Sequence, residues 1–225
     1  AERAMALCSF IGHAFVYENW RENNLRHTIP ANIGVPWCKL AERLERPPVL
    51  SYASYALYNW RRIEARDHIV LGNICLLQNF LGGLDEEWFI LPHVAIEREA
   101  TPAILGSILL AACVKKSDLY CVIEFLRAIC LAFQNMNAVM LRIPDGCDPY
   151  IYYNRVRPFI HGWKNNKMLP NGVVYEGVKR FNGIAQKNRG ETGAQSAIIP
   201  TLDEIFGVEH ADTLSDGSPD ILKSY

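Results

Sequence analysis

Residues 148–163 hold the densest group of side chains able to do chemistry. Asp148 followed by Pro149 reads as the N-cap and first turn of a helix that reaches Trp163. On that helix Tyr150, Tyr153, Val156 and Ile160 form an apolar, aromatic stripe, and Arg157, four residues after Tyr153, falls on the same face. A guanidinium cannot shed its proton, so on a buried stripe it needs an anionic partner. Two partners stay open: an Asp or Glu of a neighbouring helix, or the carboxylate of a ligand in an aromatic pocket, held bidentately. Pro158 removes the helix hydrogen bond to the Asn154 carbonyl and makes the local geometry unusual. A second group, Tyr52, Tyr55 and Ala56, stands at i, i+3, i+4. The small residue leaves a gap beside two rings, which suits helix–helix contact or a flat ligand.

Other chemistries lack their residues. The chain has no H-E-x-x-H, no G-x-x-x-x-G-K-[ST] and no G-x-S-x-G. Its six histidines, His13, His27, His68, His93, His161 and His210, show no metal-ligand spacing and read as satisfied surface or core residues. The seven cysteines are odd in number and never spaced C-x-x-C, so they read as small core thiols in a reduced compartment. Lys plus Arg (23) nearly cancels Asp plus Glu (24) with no basic block, which disfavours a nucleic-acid partner. With 225 residues, 50% of them hydrophobic, the chain can bury a substantial core. The most apolar windows, 102–114 and 120–133, are short or interrupted by charge, so no membrane span is expected. Nor is a signal peptide expected, because Ala1-Glu2-Arg3 already sits in a helical pattern.

The elements that must position these residues are helices. Ala4, Leu7, Cys8, Ile11, Ala14 and Phe15 follow helical spacing. Pro36 suits the first turn of a second helix through Glu45, and an aromatic segment runs over 49–62. After the Gly82-Gly83 turn, a helix over 85–99 should be kinked or broken at Pro92. Helices are expected over 102–114 and 117–140, the latter capped at Ser117-Asp118, and a last one over 194–206 stops at Gly207. Residues 164–193 lack helical period, and Val173-Val174-Tyr175 offers one short strand at most. The expected fold is all-α, a multi-helix bundle, as a single all-helical domain over 1–225 with an irregular region about 164–193.

Several runs, in order, resemble the indoleamine 2,3-dioxygenase family: Pro30-Ala31-Asn32-Ile33-Gly34-Val35-Pro36; Pro47-Pro48-Val49-Leu50-Ser51-Tyr52-Ala53, ending in Asn59-Trp60; and Arg157-Pro158-Phe159-Ile160-His161-Gly162-Trp163-Lys164-Asn165. Leu169, the run Asn171-Gly172-Val173-Val174-Tyr175-Glu176-Gly177 and the loop Arg189-Gly190-Glu191-Thr192-Gly193-Ala194-Gln195-Ser196 are similar to it too. The resemblance covers nearly the whole chain. It implies an all-helical enzyme that uses haem b iron to insert O2 across the indole C2=C3 bond of L-tryptophan, giving N-formylkynurenine in the kynurenine pathway.

Position by position, the resemblance implies that Arg157 pairs with the substrate carboxylate. Tyr152 and Tyr153 stand where a phenylalanine pair packs on the indole, and Tyr52, Tyr55 and Ala56 line the distal pocket. Thr192 offers a hydroxyl to the substrate amine or a haem propionate. Gly193 and Ala194 lie in the loop over the haem edge, and Trp88-Phe89 matches a phenylalanine pair beside the cofactor. Leu91 or Pro92 stands where the animal enzymes carry a serine; the neighbouring His93 either reaches the indole N–H as a catalytic group or is packed near a kink.

The resemblance further implies an internal segment of a larger catalytic domain, with no metal ligand in this chain and the proximal histidine expected beyond Tyr225; His210 does not match it. A cytoplasmic monomer without membrane or nucleic-acid partner is expected for the complete enzyme. Two other readings stay open: a related haem enzyme that rearranges tryptophan in secondary metabolism, and a haem-free remnant that binds an indole or a protein partner.

Overall fold

The computed structural model describes residues 1–209; His210 and the polar, turn-like tail expected after it lie outside them. The chain is mostly helical, and its contacts gather into two units. The first comprises Ala1–Leu91 and Ile143–Thr192; the second comprises Pro92–Arg142 and the segment from Gly193 onward.

In the first unit, helix α1 (Glu2–Val16) buries Met5, Ala6, Ser9, Phe10, His13 and Val16 on one face, the face that its apolar spacing marks. It packs on α2 (Ala31–Arg43). The Trp37 ring lies directly on Gly12, where any Cβ would overlap it. Helix α2 starts at Ala31, well before the Pro36 start that spacing suggests. Extended Pro30 is its N-cap, and the Pro30 carbonyl accepts from the Ile33 and Gly34 amides. Pro36 is therefore interior and forgoes one bond, to the Asn32 carbonyl. The helix survives that loss because Trp37, Cys38 and Ala41 bury its inner face.

Among the described residues, four short strands replace the single one expected from sequence. Thr28–Ile29 (β1) pairs in parallel with Val174–Tyr175 (β4), and Trp60–Arg62 (β2) pairs antiparallel with Ile74–Leu76 (β3). Strands of two or three residues show no alternation, so only the tertiary pairing defines them. The main core of this unit joins Trp37, Trp163, Leu169, Val173 and Tyr175. The Trp163 indole donates to the Tyr175 hydroxyl at 2.8 Å, and that hydroxyl donates to the Pro48 carbonyl.

His13 connects these parts. Fully buried, it bonds the Phe159 carbonyl through Nδ1 (2.7 Å) and accepts the Leu50 amide at Nε2 (2.8 Å). Those bonds require a neutral ring with its proton on Nδ1. Burial pushes its pKa down from 6.5 to about 3.

In the second unit, prolines do not interrupt the helix. Helix α3 (Leu84–Lys115) begins in the first unit and runs on through both Pro92 and Pro102, where a break and two separate helices are expected from sequence. Each proline removes one bond, to the Trp88 and Arg98 carbonyls, and leaves the rest of the ladder intact. Helix α4 (Leu119–Met140) starts, as expected, at Asp118, whose side chain accepts from the Cys121 amide. A disulfide joins Cys113 to Cys121 across the α3–α4 turn, correcting the expectation of free thiols there; Cys8, Cys38, Cys75, Cys130 and Cys147 are free.

Ala100, Met136 and Ile198 form one small core of this unit, and Ala103, Ile129 and Ala132 another. The last helix, which we number α7 after α5 and α6 of the next section, spans Ile198–Phe206 and ends at left-handed Gly207. Much of α4 is uncovered: Leu119, Tyr120, Leu131 and Met140 are exposed. Residues 119–145 are long and apolar enough to cross a membrane, contrary to expectation, although core helices of water-soluble bundles share that property.

His13 generates a pH prediction. The unfolded chain protonates His13 below about pH 6.5, whereas the native chain does so only near pH 3. The His13 contribution is thus fully present above pH 6.5 and is lost on acidification toward pH 3, by roughly 1–1.5 kcal/mol per pH unit. In urea titrations the stability gap between the native chain and His13→Gln is expected to narrow as pH falls from 7 to 4. A gap independent of pH contradicts this assignment.

Candidate functional site

Three stretches of the first unit converge. Tyr52, Tyr55 and Ala56 come from a π-helical turn, Ala53–Leu57, and the residue that caps it. Trp88, Phe89 and Ile90 come from the start of α3. The third stretch is α5 (Pro149–Ile151), a second π-helical turn (Tyr152–Val156) and α6 (Arg157–Ile160). Asp148 caps it as expected, accepting from the Tyr150 and Ile151 amides, and its own amide bonds Asp85 at 2.8 Å. Together they form a core of Leu50, Tyr52, Tyr55, Ala56, Tyr152 and Val156, with half-buried Trp88 and Phe89 packed on it. Phe89 stacks on Tyr152 at 3.8 Å between centroids, Tyr55 stacks on Phe10 at 5.9 Å, and the Trp88 indole lies against Gly146.

The π turn corrects the stripe read from helical spacing. A wider turn rotates every later side chain relative to an ideal α-helix. The buried line is Tyr152, Val156 and Ile160, while Tyr150 and Tyr153 are 75% and 61% exposed. Arg157 is exposed as well, not on a buried face, and its guanidinium lies 5.3 Å from the Tyr153 ring centroid. The carboxylate of this chain that feels its charge is Glu191, on an irregular loop and not on a neighbouring helix.

Two glycines put Glu191 there. The backbones at Gly162 and Gly190 cross so closely that a Cβ on either would overlap the other's amide nitrogen. The Glu191 amide donates to the Ile160 carbonyl (3.4 Å), and the Trp163 and Lys164 amides donate to the Asn188 carbonyl. Burial pushes the Glu191 carboxyl up to about 7, and the Arg157 charge opposes that rise.

The Tyr55 and Tyr152 hydroxyls are buried beside each other. Burial, chiefly, raises both above the ordinary phenol range, and each also feels Glu191 and Glu86. Glu86 is itself fully buried and accepts from the Phe80 and Leu81 amides, which folds the loop ahead of α3 onto the helix.

The structure thus gathers Tyr52, Tyr55, Ala56, Trp88, Phe89 and Tyr152, with Tyr153 and Arg157 exposed on the flanking helix. Thr192 closes the first unit and is half-buried. His93, half-buried on α3, and Gly193 and Ala194, in a 3-10 turn, belong to the second unit and not to this cluster. Sequence reasoning did not single out His13, Glu86 or Glu191 as structural or site residues. The Gly-Gly turn three residues before Glu86 is a capping signal, but nothing local marks Glu191.

The residues present are chemically compatible with the wall of a haem site, since flat rings with half-buried edges match a flat ligand. His13 is unsuited to iron, since backbone groups hold both its ring nitrogens. Among the described residues, no group of three or more His, Cys, Asp or Glu could hold a metal ion.

The family described as indoleamine 2,3-dioxygenase matches residues 1–224. Indoleamine 2,3-dioxygenase 1 of Mus musculus is 33% identical over 205 residues, 89% of this chain and 48% of that protein. Indoleamine 2,3-dioxygenase 2 of Homo sapiens is 27% identical over 215 residues, 95% of this chain and 51% of that protein. Indoleamine 2,3-dioxygenase of Saccharomyces cerevisiae is 27% identical over 225 residues, 96% of this chain and 48% of that protein. The chain spans about half the length of the curated relatives it matches.

Two outcomes are expected from this geometry. Gly190→Ala should cost about 1–3 kcal/mol in urea unfolding, because the backbone crossing has no room for a methyl group. Arg157→Ala should raise the Glu191 pKa further above 7, read from its carboxyl carbon-13 shift. An unchanged shift would show that the two charges do not interact.

Proposed function

This chain belongs to the indoleamine 2,3-dioxygenase family, and on that premise we propose that it forms part of the catalytic domain of a haem-dependent dioxygenase converting L-tryptophan and O2 to N-formylkynurenine. One observation carries the reading. Aromatic residues far apart in sequence, Tyr52, Tyr55, Phe89 and Tyr152, are packed together beside an exposed guanidinium, Arg157. That arrangement suits a ligand with a flat apolar ring at one end and a carboxylate at the other.

The chain's own residues bind and orient. Stacked Phe89 and Tyr152 supply the apolar wall for an indole, and their burial keeps water from the ring. Arg157, with its guanidinium over Tyr153, receives the substrate carboxylate. Thr192 lies next to Glu191 in the chain and supplies a hydroxyl for the amine. Haem b, when bound, supplies the iron chemistry that activates O2; Trp88 and Phe89 are the residues of the first unit we assign to it. The complete protein is proposed to act as a cytoplasmic monomer in tryptophan breakdown.

The test is product analysis on the full-length protein carrying this chain. Tryptophan and O2 should yield N-formylkynurenine, and a different product would overturn the reading. Arg157→Ala should raise the KM for tryptophan roughly ten- to a hundredfold, the equivalent of about 1.5–3 kcal/mol, and should spare an indole that lacks the carboxylate. Because Arg157 is exposed, its removal should change folding stability by less than about 0.5 kcal/mol. Equal loss on both substrates would remove Arg157 from the binding role.

A further inference from the structure

The first unit has a second concave feature, separate in its residues from the aromatic cluster. It is a cleft of about 370 Å³ between α2 and the turn after β4, lined by Cys38, Lys39, Glu42, Val178, Lys179 and Arg180. Both walls are fixed. Val35, Cys38, Lys39 and Glu42 recur at i, i+3, i+4, i+7 and share one stripe of α2. The pairing of β4 with β1, and the bond from the Glu176 amide to the Ile29 carbonyl (3.0 Å), anchor the opposite wall. Gly177, at φ +71°, lets that wall approach the helix. A Cβ there would meet the Ala31 methyl at 3.0 Å and Val35 at 3.2 Å.

The charges in this cleft are not neutralised by the chain. Among the described residues, Lys39, Lys179, Arg180 and Glu42 make no ion pair, so three positive charges face one negative charge. Arg180 is nevertheless held in place. Its guanidinium lies 4.6 Å from the Phe181 ring centroid and hydrogen-bonds the Cys38 side chain, and Phe181 packs on buried Tyr175 at 5.6 Å. Cys38 is 3% exposed, and burial pushes its thiol up to about 11, so it meets an anion as a neutral S–H and not as a thiolate.

We propose that this cleft binds the phosphate group of a small phosphorylated metabolite, with Arg180 as the bidentate donor and Lys39 and Lys179 beside it. The excess of two positive charges matches a phosphate monoester dianion and exceeds what one carboxylate needs. The volume falls at the lower end of the range for small-molecule sites, about 300–1,000 Å³, which leaves room for an organic group. Glu42, repelled by the phosphate itself, accepts from a hydroxyl of that group. The site does not depend on the indole reading of the aromatic cluster.

The test is calorimetric titration of the full-length protein, at constant ionic strength, with glycerol 3-phosphate, inorganic phosphate and glycerol. Glycerol 3-phosphate should bind with a Kd on the order of 1 mM or below, inorganic phosphate more weakly, and glycerol not at all. Arg180→Gln should weaken glycerol 3-phosphate roughly tenfold or more, and Lys179→Gln severalfold. Glu42→Gln should instead strengthen inorganic phosphate and narrow its gap to glycerol 3-phosphate. Lys179→Gln leaves the contact between Arg180 and Cys38 in place, so it keeps the test open should Arg180→Gln fail to fold. Absence of saturable binding by either phosphate overturns the site, as does binding that survives both the Arg180 and the Lys179 substitutions. Tighter binding of a phosphoserine peptide than of glycerol 3-phosphate overturns the assignment to a small metabolite.

Discussion

A neutral imidazole at the centre of the first unit constrains the site more than any catalytic candidate does. His13 joins helix α1 to two backbone positions remote in sequence, Leu50 and Phe159. Leu50 leads directly into the turn carrying Tyr52 and Tyr55, and Phe159 lies seven residues after Tyr152 and two after Arg157. One ring therefore sets the separation of two walls of the aromatic cluster. It does so only while uncharged, because the Nε2 atom must accept the Leu50 amide. Surrounding rings maintain that state: Trp163 lies 4.5 Å from it and Tyr17 6.1 Å, and their bulk keeps water away.

The cluster that His13 helps to hold combines features with opposite solvation costs. Stacked rings gain from burial, whereas the Tyr55 and Tyr152 hydroxyls lose hydration by it. Glu191 adds a carboxylate whose proton affinity is raised by the same burial. Such groups are expensive in a core and useful in a binding site, where a ligand can satisfy them. Arg157 stands apart from that expense. Exposed at the rim, it keeps its charge solvated and needs no buried counter-ion.

Several elements hold because packing outweighs a local penalty. Interior prolines at 36, 92 and 102 each forgo one helix hydrogen bond, yet α2 and α3 continue through them. The π turns at residues 53–57 and 152–156 are rare backbone forms, and both fall at the aromatic cluster. Each sets which side chains of its segment turn inward.

Much of this molecule was legible in its residues. The helices α1, α4 and α7 follow apolar spacing, Asp118 and Asp148 cap as their side chains suggest, and Gly207 ends the last helix. Tyr52, Tyr55, Ala56 and Tyr152 were visible as candidates from spacing and motif. The inward face of the Tyr152 helix was not visible, because helical spacing assumes 3.6 residues per turn and the π turn breaks that period. Nor could spacing show that Arg157 is exposed, that Glu191 is its neighbour or that His13 spans two segments. Each depends on chain positions brought together from far apart: the Gly162–Gly190 crossing in one case, a ring between residues 50 and 159 in the other. Local sequence determines where a helix can begin and which residues prefer to be inside. Tertiary contact decides which of those residues meet, since burial and partner distance belong to pairs of segments and not to any one of them.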